Sequence, residues 1–290
     1  MKLPMYAITE KCRFLYVTKQ GYYQWLRSKD KPYKYAALLA MIQKVLAEDA
    51  ENAGNYGARR VFFRLKQPEY GYTGSYSTVY RVMKAKGLLQ KKKRNPNSLT
   101  KEDYAAQKSE NLINQDFDAI EPNSKWLSDI TEVETSDGKL YISPIMDCFA
   151  GEIVGLAMDD NMRKELCIEA FNQACQRQYA YGMIFHSDRG SQYTSKKFRE
   201  ALESRGAIQS MSGTGRCYDN ARMESFFATL KKEKLYKIKT ELLPMETVKS
   251  IIFRWIFSYY NRKRVYSANE WGYPPSVKRD MYEARHQTAA

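Results

Sequence analysis

The sequence predicts a mixed α/β protein: a sheet domain covered by helices, preceded by an all-α region with a helix-turn-helix outline. Three observations carry that expectation. Apolar residues recur at helical spacing through the N-terminal part of the chain. After about residue 124 the pattern turns to short β-rich runs bounded by turn residues. Within those runs stand isolated carboxylates, Asp129 and Asp188, where a strand would otherwise be apolar.

Residues 1–95 read as the helical region. An aromatic-rich helix is expected over Phe14 to Leu26. The segment YAALLAMIQKVLAE, residues 35–48, places Leu38, Leu39, Ile42, Val45 and Leu46 at helical spacing. GARRVFFRLKQ, residues 57–67, makes the next helix and is closed by Pro68. The turn EYGYTG leads to SYSTVYRVMKAKG, which opens at an N-cap, Ser75, ends at Gly87 and has Val79, Val82 and Met83 as its apolar side. Helix, turn, helix with basic residues on the last helix, Arg81 and Lys84 among them, is the outline of a DNA reader. Three short helices also describe many other domains. Next comes the run Lys91, Lys92, Lys93, Arg94, either simply solvated or tracking phosphates. Residues 96–123 read as a basic and polar linker.

Residues 124–240 read as the sheet domain. KWLSDITEVET is one strand candidate; after the turn at Asp137 and Gly138, KLYISPIMD and EIVGLAM complete a three-stranded meander. A helix over 161–178, a strand GMIFHSD, a helix over 194–205, a strand AIQSMS and a helix over 220–235 follow. The order βββαβαβα is that of the RNase H-like fold, a mixed five-stranded sheet with helices. Residues 241–290 add an amphipathic helix over 245–260 and a basic, aromatic tail, in which Arg262, Lys263 and Arg264 are candidates for DNA backbone contact.

Composition narrows the function. Among 290 residues, 47 are basic and 33 acidic, a net charge of +14 with a pI near 9.4. Such a surplus concentrates polyanions, of which nucleic acid is the commonest. Five cysteines (Cys12, Cys148, Cys167, Cys175, Cys217) form no CxxC pair, and His186 and His286 are the only histidines. Disulfide frameworks and zinc sites are therefore not indicated. No apolar run is long enough for a membrane span, and a reducing cytoplasm is the expected compartment.

Three carboxylates stand where this fold would gather them: Asp129 on the first strand, Asp188 at the end of the fourth, and Glu224 one turn into the last core helix. A carboxylate on a central strand is costly to bury unless it is paired or binds a metal. Phosphodiester cleavage needs an activated oxygen nucleophile and relief of negative charge at the phosphate and leaving oxygen. Two Mg²⁺ ions, with Mn²⁺ as a substitute, supply both and take hard oxygen ligands. Asp129 would bridge the ions, with Asp188 and Glu224 completing one each. On a helix, Met223, Phe226 and Leu230 share the core face, while Asn220, Glu224 and Lys231 cluster on another, so a metal ligand and a phosphate-binding lysine would stand side by side.

The neighbours of these residues carry weaker expectations. Arg189 and Lys232 are candidate phosphate contacts. His186, two residues before Asp188, either lies beside the ligands or is a packed, hydrogen-bonded histidine. Asn220 is expected beside the ligands; either it or Asp219 caps the last core helix. Asp147 is expected to be structural. Gly213 and Gly215 suggest a mobile loop at the substrate.

The segments HSDRGSQYTS, SGTGRCYDNARMESFFATLKKE and YYNRKR together resemble the transposases of IS-three-type bacterial insertion sequences (OrfB-like catalytic proteins), members of the retroviral integrase superfamily. GARRVFFRLKQPEYGYTGSYSTVYRVMKAKGLL is similar to that family's helix-turn-helix segment. The resemblance covers roughly residues 20–275. It implies an integrase catalytic core with Asp129, Asp188 and Glu224 as the catalytic triad, and breakage and joining of DNA at the element's ends. It also implies double-stranded DNA as partner, a homo-oligomer, an upstream OrfA-like protein, separate or fused, and a bacterial, nucleoid-associated location. Two departures stand out: the zinc-binding domain of retroviral integrases is absent, and Tyr266 stands where the tail motif commonly has histidine. An RNase H or junction resolvase, and a non-enzymatic DNA-binding regulator, are the rival readings.

Overall fold

In the computed structural model, which describes residues 7–29, 31, 33–90, 110–213 and 217–287, the sheet assembles around β1 (Lys125–Ser128). On one side β1 pairs antiparallel with β3 (Gly138–Asp147). On the other it pairs parallel with β5 (Ile184–Ser187), which pairs parallel with β6 (Ile208–Met211). β2 (Thr131–Thr135) continues past β1 along the same edge of β3, and β4 (Glu152–Asp159) lines the opposite edge. The expected mixed sheet is present, with one correction. Residues 125–135 read as a single strand, but the ladder breaks at Asp129 and Ile130, where the Asp129 carboxylate accepts the Ile130 amide at 2.8 Å.

Alternation along the strands sends side chains to two apolar layers. Leu127, Leu140, Ile142 and Met146 pack against α9 (Ala221–Glu233) and α10 (Met245–Arg254). Trp126, Ile145 and Phe185 pack against α6 (Lys164–Arg177), with α7 (Ser191–Thr194) and α8 (Lys196–Glu203) completing that side. α6 lies close on β4 because Gly155 has no side chain: a Cβ there would stand 2.4 Å from the Ala170 carbonyl. Phe171 is fully buried against Trp126, Phe185 and Phe198, and burying such a ring contributes on the order of 2–3 kcal/mol. The helix expected over 194–205 is α8, which starts two residues later, where the Ser195 hydroxyl accepts the Phe198 amide; the short turn α7 before it was not expected.

The C-terminal segment differs most from expectation. α10 widens into a π-helical turn, Trp255–Tyr260, and its Val248, Ile252, Trp255 and Ile256 stripe is core. The expected tail folds into α11 (Pro275–Gln287). Arg279 of α11 is buried against the Asp147 carboxylate, which also accepts the Asn123 and Phe149 amides at 3.0 Å each. Asp147 is thus structural. Arg264 is not a DNA contact: it is buried and forks onto Glu233 at 2.9 and 3.0 Å. Tyr266 packs on Tyr260 and over Gly151, whose φ of +73° and missing side chain leave room for the ring.

In the N-terminal region, the aromatic stretch forms two helices, α1 (Ile8–Phe14) and α2 (Lys19–Ser28), rather than one; Thr18 caps α2 by accepting the Gly21 amide at 3.0 Å. α3 (Ala36–Glu48), α4 (Ala58–Lys66) and α5 (Tyr76–Ala85) enclose Ile42, Val45, Val61, Leu65, Val79 and Met83, and Val265 from the C-terminal segment joins them. Ser75 caps α5 through the Thr78 amide, and Gly87, at φ +68°, ends it.

Glu233, at the end of α9, holds these parts together by accepting from both Arg60 and Arg264. Burial alone would raise its carboxyl, but the hydrogen bonds and charges of Arg264 and then Arg60 outweigh it and hold it below the usual range. A depressed carboxyl stabilises the fold above its unfolded pKa of ~4.3, and that contribution is lost as pH falls through the folded value. Glu233→Gln is expected to destabilise the protein at pH 7 by on the order of 3 kcal/mol. In thermal melts its deficit against wild type should shrink progressively below about pH 4.

Candidate active site

The site arises from strand register. Leu127 pairs with His186 across the parallel β1–β5 ladder, so two residues further on Asp129 and Asp188 leave adjacent strand ends on the same face. This is the carboxyl end of the parallel strands, next to the antiparallel β3, where α/β sheets open a crevice. α9 crosses that face with Met223, Phe226 and Leu230 buried, which leaves Glu224 exposed one turn from the helix start.

The carboxylates act on one another. The Asp129 carboxyl is pushed up to about 7, first by burial, then by the negative charge of Asp188 and, more weakly, of Glu224; the Ile130 amide and Lys231 pull the other way. Asp188 is open to solvent on one side, yet crowding by protein raises its carboxyl too, against the hydrogen bond from the Gly190 amide at 3.0 Å. Lys231 is half-buried, and burial lowers its ammonium while the charges of Glu132 and Asp129 oppose that shift. Asn220 is buried; its Nδ2 donates to the Ser128 carbonyl at 3.2 Å and its Oδ1 has no hydrogen-bond partner.

Hard carboxylate oxygens and a surplus of negative charge that raises Asp129 suit a small divalent cation. Among the described residues, however, no three acidic, histidine or cysteine side chains stand close enough together to hold an ion. Asp129, Asp188 and Glu224 share a face without being drawn to one point.

Other expected residues fall out differently. His186 is fully buried between two serine hydroxyls, Ser210 on Nδ1 at 2.8 Å and Ser212 on Nε2 at 3.2 Å, and burial lowers its pKa to about 4. It is the packed, neutral histidine of the two alternatives. Arg189 Nε donates to the Ser212 carbonyl at 2.7 Å and so braces the loop after β5 against the end of β6. Neither Asp219 nor Asn220 caps α9 with its side chain. Asn220 holds the main chain just before Asp129 instead, and Asp219, buried, accepts from Asn111, Gln115 and the Gly213 amide at 2.7, 3.1 and 2.8 Å. Gly213 is therefore tied down rather than free. Arg81, Lys84 and Lys232 are exposed. Lys91, Lys92, Lys93, Arg94 and Gly215 lie outside the described residues.

Sequence reasoning missed the support under the site. Ser128 donates to the Pro144 carbonyl at 3.0 Å and meets the buried Tyr193 hydroxyl at 2.9 Å, pinning the residue before Asp129. Tyr193 could have been suspected only as the one large aromatic of HSDRGSQYTS; its partner, 65 positions away, carried no signal.

Comparison with known proteins follows the same line. A family model, the integrase core domain, matches residues 119–217, a stretch that includes Asp129 and Asp188 and ends before Glu224. The sheet and this match mark an integrase core domain within the chain. A transposase for the insertion sequence element IS904 of Lactococcus lactis is 37% identical over 238 residues, 82% of this chain and 92% of that protein. The transposase InsF of IS3A from Escherichia coli is 32% identical over 264 residues, 90% of each chain. The HTLV-2 integrase catalytic core, solved in complex with magnesium, aligns at 20% identity and a TM-score of 0.42, covering 55% of this chain and 97% of that one. The chain belongs to the IS3-type insertion-sequence transposases.

Because folded Asp129 holds its proton up to about pH 7 while the unfolded group releases it near ~3.9, ionising it costs stability across that window and at full strength above it. Asp129→Asn is therefore expected to raise the melting temperature by a few degrees in chelator at pH 8, and by nothing at pH 4. Added Mg²⁺ should stabilise wild type and not the variant.

Proposed function

We propose that this transposase cleaves the ends of its insertion sequence and joins the resulting 3′-hydroxyl ends to target DNA, using one carboxylate site for both steps. The observation that carries this reading is the emergence of Asp129 and Asp188 from adjacent parallel strands, with Glu224 on the helix that crosses the same face. In cleavage a water oxygen attacks the phosphorus, the P–O3′ bond breaks and a 3′-hydroxyl is released. In joining, that hydroxyl attacks a target phosphate and displaces the target's own 3′ oxygen.

Asp129, Asp188 and Glu224 would hold two Mg²⁺ ions, Mn²⁺ substituting, which when bound lower the pKa of the attacking oxygen and neutralise charge at the phosphate and leaving group. Lys231 contributes a cation beside Asp129, placed to attract the phosphate itself. Asn220, Ser128 and Tyr193 keep the strand end rigid so that the Asp129 carboxylate does not drift.

The helical region is the reader of the element's terminal repeats. α5 presents Tyr76, Tyr80, Arg81 and Lys84 on its exposed side, residues suited to bases and phosphates in a groove. Lys91, Lys92, Lys93 and Arg94 follow it in the chain and would add phosphate contacts, with Arg189 a further candidate. Two ends must be held together for joining, so a homo-oligomer, with an upstream OrfA-like protein as partner, is part of the reading. Among the described residues no helix is long and apolar enough to cross a membrane.

Labelled DNA carrying the element's ends, incubated with Mg²⁺ or Mn²⁺, tests the proposal. Wild type should give nicked and joined products; Glu224→Gln should give none while binding the same DNA. Joined product from Glu224→Gln would refute the carboxylate mechanism, and nicking without joining by wild type would favour a nuclease of the same fold. Replacing Lys91, Lys92 and Lys93 together should weaken binding to all sequences alike and flatten the log–log salt dependence by about 0.9 for each phosphate no longer neutralised.

A further inference from the structure

Glu233 lies nine residues beyond Glu224 on the same helix, about 13 Å further along its axis. Three parts of the chain meet there. Arg60 comes from α4 of the helix-turn-helix region, Arg264 from the segment after the π-helical turn, and both donate to the one buried carboxylate. Arg264 is further fixed over the Tyr260 ring, 5.5 Å from its centroid. Around this triad run more links between the same parts: Lys234 with Glu51 at 3.1 Å, Gln67 Nε2 to the Trp271 carbonyl at 3.3 Å, and Gly272 at φ +66° backed directly onto Phe63 and Val265. On α5 of the same helical region, Tyr76, Tyr80, Arg81 and Lys84 are exposed.

We infer that Glu233 is a positioning residue for cleavage: clamped between Arg60 and Arg264, it fixes the helix-turn-helix region to the helix that carries Glu224, and so sets the distance between the sequence that is read and the phosphate that is cut. The inference rests on the function proposed above. Its physical basis is the intolerance of a buried ion triad to misalignment. A swivel of the helical region would strip Arg60 from Glu233 and leave charge uncompensated in a poorly solvated place. The fork of Arg264 onto both carboxylate oxygens fixes the orientation of the acceptor, so Arg60 has one docking geometry rather than a range. A reacting phosphate misplaced by ~1 Å loses ~10²-fold in rate, so the clamp governs both where and how fast DNA is cut.

The test uses the full chain with Arg60→Met, which removes the charged link from α4 to Glu233 while the other links between the regions stay, and leaves the Glu233–Arg264 pair that holds the catalytic part together. Arg59→Met, a neighbouring exposed arginine on α4, controls for the loss of positive charge, and Arg60→Lys keeps the charge at the clamp. Cuts on labelled element ends are mapped to the nucleotide, beside hydroxyl-radical footprints of the bound DNA. Arg60→Met is expected to bind the ends as wild type does, to cut them at least about tenfold more slowly, and to spread its products over neighbouring phosphates. Arg59→Met and Arg60→Lys should cut at the wild-type phosphate. A single cut by Arg60→Met at the wild-type phosphate and rate would overturn the inference. Should wild type bind the ends without cutting, the function reading itself fails, and the footprint then decides. A fixed spacing between the tracts protected by α5 and by the sheet domain, lost in Arg60→Met, supports the clamp; an unchanged spacing overturns it.

Discussion

The parallel pairing of β1 with β5 is the constraint on which the rest depends. Three residue pairs, Lys125 with Ile184, Trp126 with Phe185 and Leu127 with His186, fix a register that brings two aspartates out side by side. A slip of one residue would move either aspartate to the other face of the sheet and send Trp126 and Phe185, both fully buried, toward α9. The apolar layers on the two faces therefore enforce the spacing of the carboxylates. Packing and site share one determinant, and the cost of gathering negative charge is borne by burial of rings and aliphatic chains several residues away.

Around that centre the chain spends its polar groups on stiffness. His186 is held by hydroxyls from β6 and the residue beyond it, Ser128 by Tyr193 and a carbonyl, and Asp219 by three donors from two other segments. None of these needs to touch DNA to matter. Each fixes backbone next to Asp129, Asp188 or Glu224, and a fully satisfied buried network resists the drift that a ring of like charges would otherwise drive.

The fold class and the three carboxylates were legible because both are written as local pattern: alternation and helical spacing give the elements, and a lone acid in an apolar run stands out. What was illegible depends on partners distant in sequence. Arg264 read as a candidate DNA contact and Arg279 drew no reading at all, since nothing near them announces Glu233 or Asp147, and α11 is too polar for its buried arginine to show in periodicity. The strand break at Asp129 and the start of α8 at Ser195 escaped for another reason. In each, one side chain bonds a nearby backbone amide, which periodicity cannot register. The tail motif around YNRKR resolves in the same way: Arg264 and Tyr266 are packing residues, and Asn261 bonds both main-chain groups of Ile153.

The pairing of Asp147 with Arg279 has a consequence in time. The two are 132 residues apart, and at roughly 5–20 residues per second a ribosome needs roughly 7–26 seconds to travel from one to the other. Through that interval the base of the central sheet carries Asp147 without the arginine that pairs with it. A chain lacking α11 would leave both Asp147 and Glu152 without the arginine that pairs with them at the foot of the sheet.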